Sequence, residues 1–316
     1  LKKFTSLLLA GVVILGLAAC SNNSSSSKEE EKDTGTHKVE AKNGTIEIPN
    51  KLNKIVVQNY SDEAVTLGQN VIGTDTYAYA NPHLPKEATE KIKDLGAPMN
   101  AEKIAEDKPD LIITMDEDQV DNYKKIAPTI LLDYNDKAFK DIDSRLEYFS
   151  KLFNAEDKKD EFLKEFDATA KKETARLTDK GIDPSKSTVA IIELSGNKIY
   201  SYGSNFGRGG QVLTRGLGFK QSKEMQEITD AGGFKEVNVE SLANLSADYI
   251  FIDFKNTDKS QYEALTKNPV WQKIKAVQDK KVVQMDFDQV YYFAGPTATE
   301  KLLPVYVDAI LDQTNK

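Results

Sequence analysis

The sequence predicts an α/β protein of two lobes joined by a long helix, and three observations carry that prediction. Short apolar runs at residues 55–58, 111–115, 129–132, 188–194, 249–253 and 281–285 alternate with helix-length stretches, the pattern of parallel strands covered on both faces. From about Lys38 the chain continues for roughly 280 residues, enough for two lobes of ordinary domain size. Between residues 143 and 180 there is neither glycine nor proline. There Leu146, Phe149, Leu152 and Phe153, then Phe162, Phe166, Ala170 and Leu177, recur at helical spacing.

Each element follows from local signals. Residues 154–157, Asn-Ala-Glu-Asp, break the central segment into two helices, and the second opens at Glu156 or Asp157 and stops at Gly181. The resulting plan is an N-terminal lobe at 38–155, a connecting helix at 156–180 and a C-terminal lobe at 181–316.

Ahead of the lobes stands a different kind of sequence. Lys2 and Lys3 precede an apolar run at 7–17, and Leu17-Ala18-Ala19-Cys20 closes it with small residues before the cut site. This is the pattern of a bacterial lipoprotein signal peptide at 1–19, and the apolar run is too short to span a bilayer comfortably. Cleavage before Cys20 and acylation of its thiol would tether the chain to the outer face of a cell membrane. Residues 20–37 then form a Ser/Asn-rich and charged leash with almost nothing to bury. The alternative, an ordinary buried thiol in a membrane helix, has no second cysteine beside it. A single cysteine also excludes disulfides, cysteine-based zinc sites and a cysteine nucleophile from the mature domain.

The chain carries 42 Lys+Arg against 50 Asp+Glu, a net charge of −8, and loss of Lys2 and Lys3 makes it more acidic. Such a balance gives no electrostatic reason to bind nucleic acid or anionic lipid, so membrane contact falls to the anchor alone. Absent too are a phosphate-cradling G-x-x-x-x-G-K-[ST], an H-E-x-x-H and a G-x-S-x-G nucleophile elbow. With only His37 and His83 as histidines, general-base catalysis has little to draw on. His83, in the turn-rich Asn81-Pro82-His83-Leu84-Pro85, reads as a surface residue of a loop.

Residues 102–113 align without a gap on residues 240–251. Glu102 and Glu240 each open a short helix, Asp110 and Asp248 end the turn, and Ile112 and Ile250 enter a strand. One reading is that any helix-to-strand junction looks like this and that each glutamate serves its helix N-terminus. The other is a pair of carboxylates, one per lobe, that dock on a symmetric partner.

A second concentration of signal lies at residues 200–210, where Tyr200, Tyr202, Phe206 and Arg208 are interleaved with four glycines. Glycines let backbone approach a ligand closely, aromatic rings offer flat apolar faces, and arginine offers a planar fork of donors. Such a segment is either a ligand loop or a turn whose aromatics pack on the core. Further aromatics follow predicted strands: Tyr60, Tyr77, Tyr79, Tyr134, Tyr291 and Tyr292. Ligands of open α/β sheets sit at those strand ends.

On residues 102–113 with Lys108-Pro109-Asp110, on Asn268-Pro269-Val270-Trp271, and on Tyr200 with residues 205–210, the chain resembles the iron-siderophore substrate-binding lipoproteins of ABC importers. More narrowly it is similar to the ferric-hydroxamate (ferrichrome/ferrioxamine) binders of Gram-positive bacteria. Phe206 stands where those proteins commonly carry tryptophan, keeping the flat wall and losing the indole donor. The resemblance implies two Rossmann-like lobes with the ligand in the cleft between them, and a monomeric receptor rather than an enzyme. Its ligand would be an Fe(III)-hydroxamate, with iron held by the siderophore, no direct metal ligand from the protein and no cofactor. Tyr200, Phe206, Arg208, Tyr77, Tyr134, Tyr291 and Tyr292 would form the ligand site, Arg208 donating to iron-bound oxygens. Glu102 and Glu240 would dock on an ABC permease dimer served by a separate ATPase. Alternatives are a receptor for another iron chelate, haem or cobalamin, and an exported lipid-anchored enzyme.

Overall fold

Two α/β lobes are visible in the computed structural model, which describes residues 35–291 and 294–314. Cys20, the signal segment before it, most of the leash, and Tyr292 lie outside the described residues. A hairpin comes first. Strands β1 (Thr36–Ala41) and β2 (Gly44–Pro49) pair antiparallel, so Thr36 and His37 belong to a strand rather than to the leash. The hairpin docks on the first lobe through Lys42 N to the Leu131 carbonyl (3.0 Å) and an Asn43 side chain that donates to the Thr129 carbonyl (2.9 Å).

The first lobe is a five-stranded parallel sheet of β3 (Ile55–Val57), β4 (Val71–Thr74), β5 (Lys93–Asp94), β6 (Leu111–Thr114) and β7 (Thr129–Leu131), in the order β5-β4-β3-β6-β7. Every residue of β3, β6 and β7 is buried, which is why these strands read as unbroken apolar runs rather than alternating ones. Helices α1 (Ser61–Thr66), α2 (Ala101–Asp107) and α3 (Ile142–Phe153) flank the sheet.

Asn154 in the left-handed region (φ 52°) ends α3, and α4 (Glu156–Thr178) follows. Its 23 residues extend about 34 Å at 1.5 Å per residue. Only Phe166, Ala170, Glu173 and Leu177 are buried on it, as expected of a strut with one narrow contact stripe.

The second lobe contains β8 (Thr188–Ser195), β9 (Lys198–Tyr202), β10 (Lys220–Gln221), β11 (Phe234–Val237), β12 (Tyr249–Phe254) and β13 (Val282–Asp286), ordered β11-β9-β8-β12-β13 with β10 beside β8. Here the expectation of parallel sheets needs correction, because β9 runs antiparallel to β8 and β11 antiparallel to β9. The cause is the two-residue turn Gly196-Asn197, both at positive φ (58° and 65°), which reverses the chain into a hairpin. The helix Pro296–Thr314, α6, follows the short α5 (Val239–Leu242) and packs along α4.

The repeat seen in sequence has a structural counterpart. Asp110 accepts from the Asn53 and Lys54 amides (2.6 and 2.9 Å), and Asp248 accepts from the Thr188 amide and hydroxyl (2.9 and 3.0 Å). Each aspartate therefore clasps the residues at the entry of its lobe's first sheet strand. The match also extends two positions upstream, where Asn100 and Asn238 cap α2 and α5 with their side chains.

Candidate functional site

The loops at the carboxyl ends of β3, β4, β6 and β7 converge on the second lobe and enclose a cavity of about 430 Å³ between the lobes. Asn59 to Glu63 follow β3, Tyr77 and Asn81 follow β4, Met115 follows β6, and Tyr134 and Phe139 follow β7; across from them stand Asn205, Phe206 and Gly207 with Ala294 and Gly295. The loops are held from behind. Asp75 accepts from the Asn59 amide (2.6 Å), which sits at φ 66°, and caps the turn Thr76–Tyr79 through the Tyr77 amide (3.0 Å).

Aromatic rings make the walls. Tyr134 meets Phe206 edge-on across the cleft, with centroids 6.3 Å apart. Phe206 in turn packs on Phe234 (4.9 Å) and stacks on Tyr202 (5.9 Å). Tyr60 is buried against Phe139 (5.2 Å) and Phe149 (5.6 Å), and burial pushes its phenol pKa up. Tyr77 lines the opening and is 54% exposed.

Other residues expected at the site lie behind this wall. Arg208 is 1% exposed and is not among the residues lining the cavity. Its Nε and Nη2 both reach Glu193 Oε2 (2.7 and 2.6 Å), and its guanidinium lies over the rings of Tyr202 (4.1 Å) and Tyr291 (4.7 Å). The guanidinium that the sequence assigns to the ligand is here held in a buried ion pair through Nε and Nη2. The physical reason is local backbone: Gly207, Arg208 and Gly209 are all left-handed (φ 71°, 49° and 70°), which turns the side chain inward. A Cβ at Gly209 would stand 2.0 Å from the Tyr306 hydroxyl, which itself donates to the Arg208 carbonyl (2.7 Å). Tyr200 lies half-buried on β9 and does not line the cavity either. Tyr291 serves the same inner cluster, its carbonyl accepting from the Arg208 amide (2.9 Å).

Beside that cluster, Asp253 on β12 pairs in register with Glu193 on β8, and both are buried. Burial and then the Glu193 carboxylate hold the Asp253 carboxyl well above the usual range.

Sequence reasoning missed the cavity floor. Asp62 and Glu63 on α1 and Arg145 on α3 are 4%, 2% and 3% exposed and all line the cavity. Arg145 Nε donates to Glu63 Oε1 at 2.7 Å, and Nη2 donates to the Ala294 carbonyl across the lobe boundary. Burial raises the Glu63 pKa, an effect that Arg145 opposes. Asp62 accepts from the Thr297 and Ala298 amides (3.2 and 3.1 Å), capping α6, and a Cβ at Gly295 would come within 2.4 Å of it. The signal was available: Arg145 falls on the stripe of α3 that carries Ile142, Phe149 and Leu152.

His83 bridges the lobes, its Nε2 lying 2.7 Å from the Gln289 carbonyl. Arg215 ties the segment Val212–Gly216 to Asp143 on α3 and Asp167 on α4. Glu102 and Glu240 are exposed, each in the first turn of its helix. Among the described residues no three His, Cys, Asp or Glu side chains group to hold a metal ion, and no helix is long and apolar enough to cross a membrane.

A profile of the periplasmic binding protein family matches residues 59–289. The chain is 30% identical over 323 residues to the iron(3+)-hydroxamate-binding protein YxeB of Bacillus subtilis, covering 98% of each chain. It is 31% identical to the iron(3+)-hydroxamate-binding protein FhuD of the same organism, again over 98% of both. Among solved structures, the FhuD protein from S. pseudintermedius superposes with a TM-score of 0.75 at 26% identity, covering 88% of this chain and 99% of that one.

Proposed function

We propose, from the premise that the chain belongs to the periplasmic binding protein family, that it is an extracellular receptor for an Fe(III)-hydroxamate siderophore and delivers it to an ABC permease. As a member of a family of transport receptors it is not an enzyme. The observation that carries the ligand class is the charge of the cavity. Among its described lining residues Arg145 is the one cation, and Glu63 already neutralises it, while Asp62 adds a further carboxylate. A ferric tris-catecholate or citrate complex, both anionic, would enter without a compensating charge. A neutral or weakly cationic hydroxamate complex meets no such penalty, and the rings of Tyr77, Tyr134 and Phe206 suit its hydrocarbon.

In this reading Cys20 carries the lipid that keeps the receptor at the outer membrane face, and the exposed Glu102 and Glu240 engage the permease dimer, one per lobe. ATP hydrolysis by a separate subunit drives release. The test is quenching of intrinsic Tyr/Trp fluorescence. Ferrichrome or ferrioxamine B is expected to quench at submicromolar concentration, whereas tight binding of ferric citrate with no response to either hydroxamate overturns the ligand class. Glu102→Ala with Glu240→Ala is expected to leave binding intact and abolish uptake in cells; unchanged uptake would reduce both residues to helix-start carboxylates.

A further inference from the structure

Of the four methionines in the chain, Met99, Met225 and Met285 are buried in the apolar cores. Met115 is the exception: half-buried just past the carboxyl end of β6, it lines the cavity. Its backbone is fixed independently of its sulfur. The Met115 amide and the Thr114 hydroxyl both donate to Gln58 Oε1 (3.0 and 2.6 Å), and the Thr114 hydroxyl accepts from the Asp116 amide (3.0 Å). A change at the thioether therefore alters the cavity wall and leaves the strand end in place. Thioethers react with peroxide where it can reach them, and oxidation turns a flexible apolar side chain into a polar, chiral one.

Resting on the ferric-hydroxamate reading above for the choice of ligand, we propose that Met115 is a redox-sensitive modification site of the cleft, where hydrogen peroxide forms the sulfoxide and lowers affinity for the ligand. The sulfur lone pair attacks one peroxide oxygen, the O–O bond breaks, and the departing hydroxide takes the proton left on the transferred oxygen to become water. Sulfur gives up two electrons and peroxide gains them, so no further reactant is needed. The new oxygen is hydrated when no ligand is bound and must shed that water when one enters. The charged side chains of the cavity offer it little in return: Asp62 and Glu63 are carboxylates, and Arg145 is engaged by Glu63 and the Ala294 carbonyl. Bound ligand would in turn cover the sulfur and slow its oxidation. Imported iron, once reduced, converts peroxide to hydroxyl radical, so a receptor that weakens in peroxide restrains that supply.

The experiment treats the wild-type protein and a Met115→Leu variant with dilute hydrogen peroxide, with and without saturating ferrioxamine B. Sulfoxide at each methionine is read by peptide mass spectrometry, and affinity by fluorescence quenching. Met115 is expected to oxidise about tenfold or more faster than the three buried methionines, and bound ferrioxamine B to slow it by a similar factor. Affinity of the oxidised wild-type protein is expected to fall about tenfold, the equivalent of one poorly compensated polar group, and to return after treatment with methionine sulfoxide reductases acting on both epimers. The affinity of Met115→Leu, whatever its starting value, is expected to be the same before and after peroxide. Oxidation of Met115 no faster than that of the buried three overturns the proposal, as does complete sulfoxide formation there with affinity kept within about twofold. So does an equal peroxide loss in the leucine variant, which would place the damage elsewhere. If the untreated wild-type protein binds no ferrioxamine B, the ferric-hydroxamate reading fails, and the relative oxidation rates still uphold or overturn Met115 as the modified site.

Discussion

Arg145 and Arg208 are both buried, both paired with a buried glutamate, and both within reach of the cleft, yet they sit in opposite relations to it. Arg145 spans the boundary between lobes, from Glu63 to Ala294, and lines the cavity. Arg208 is enclosed within the second lobe by Glu193, Tyr202 and Tyr291. Residue type and burial do not say which of two such pairs borders the cavity; the element that carries the arginine does. The carboxylates differ in the same way. On the floor the second acid, Asp62, is satisfied by the first amides of α6, whereas behind the wall Asp253 faces Glu193 with one arginine between two acids.

The largest effect that sharpens this contrast is on stability. Arg208→Gln leaves Glu193 beside Asp253 with no cation, and a loss of about 3–5 kcal/mol is expected in urea unfolding; a change below about 1 kcal/mol would show that the cluster accommodates its absence. Next is Gly209→Ala, which places a methyl on Tyr306 at a left-handed position and is expected to lower stability by about 1–3 kcal/mol. Asp253→Asn tests the pH response. A carboxyl raised in the folded state contributes stability that is complete below its unfolded value, about 4, and that is lost as pH rises through the folded value. The asparagine variant is therefore expected to be more stable than wild type at pH 7, with a flatter fall in the urea midpoint above pH 4. An unchanged slope would break the account of two competing acids. Smallest is Asp62→Asn, which keeps an acceptor at the start of α6 and loses only the charge, about 0.3–1 kcal/mol, read as a small downward shift in the urea midpoint.

Sequence alone exposed much of the frame. The six apolar runs are strands, residues 154–155 separate two helices, and the alignment of 102–113 on 240–251 marks equivalent junctions in both lobes. The hairpin of β1 and β2 escaped because nearly all of its strand residues are exposed or half-exposed and it lacks an apolar run. The antiparallel turn at Gly196-Asn197 was legible as a hairpin signal and went unread. At the site, Tyr77, Tyr134 and Phe206 do line the cavity. Arg208 turns toward Glu193 behind the lining, a direction that composition cannot give because three consecutive left-handed residues set it. Arg145 was overlooked because an arginine among acidic neighbours on an amphipathic helix looks like surface, although the spacing from Ile142 and Phe149 put it on the inner stripe.

One further consequence belongs to Asp110 and Asp248. These two clasps fasten the amino-terminal entry of each central strand pair, and the first lobe's share of the cavity comes from the loops and helix starts at the opposite ends of its strands. Register and cargo choice are thereby assigned to different poles of the molecule. A lineage can rewrite the loops at one pole, trading one cargo for another through successive generations, while the other pole goes on threading the strands in the same order.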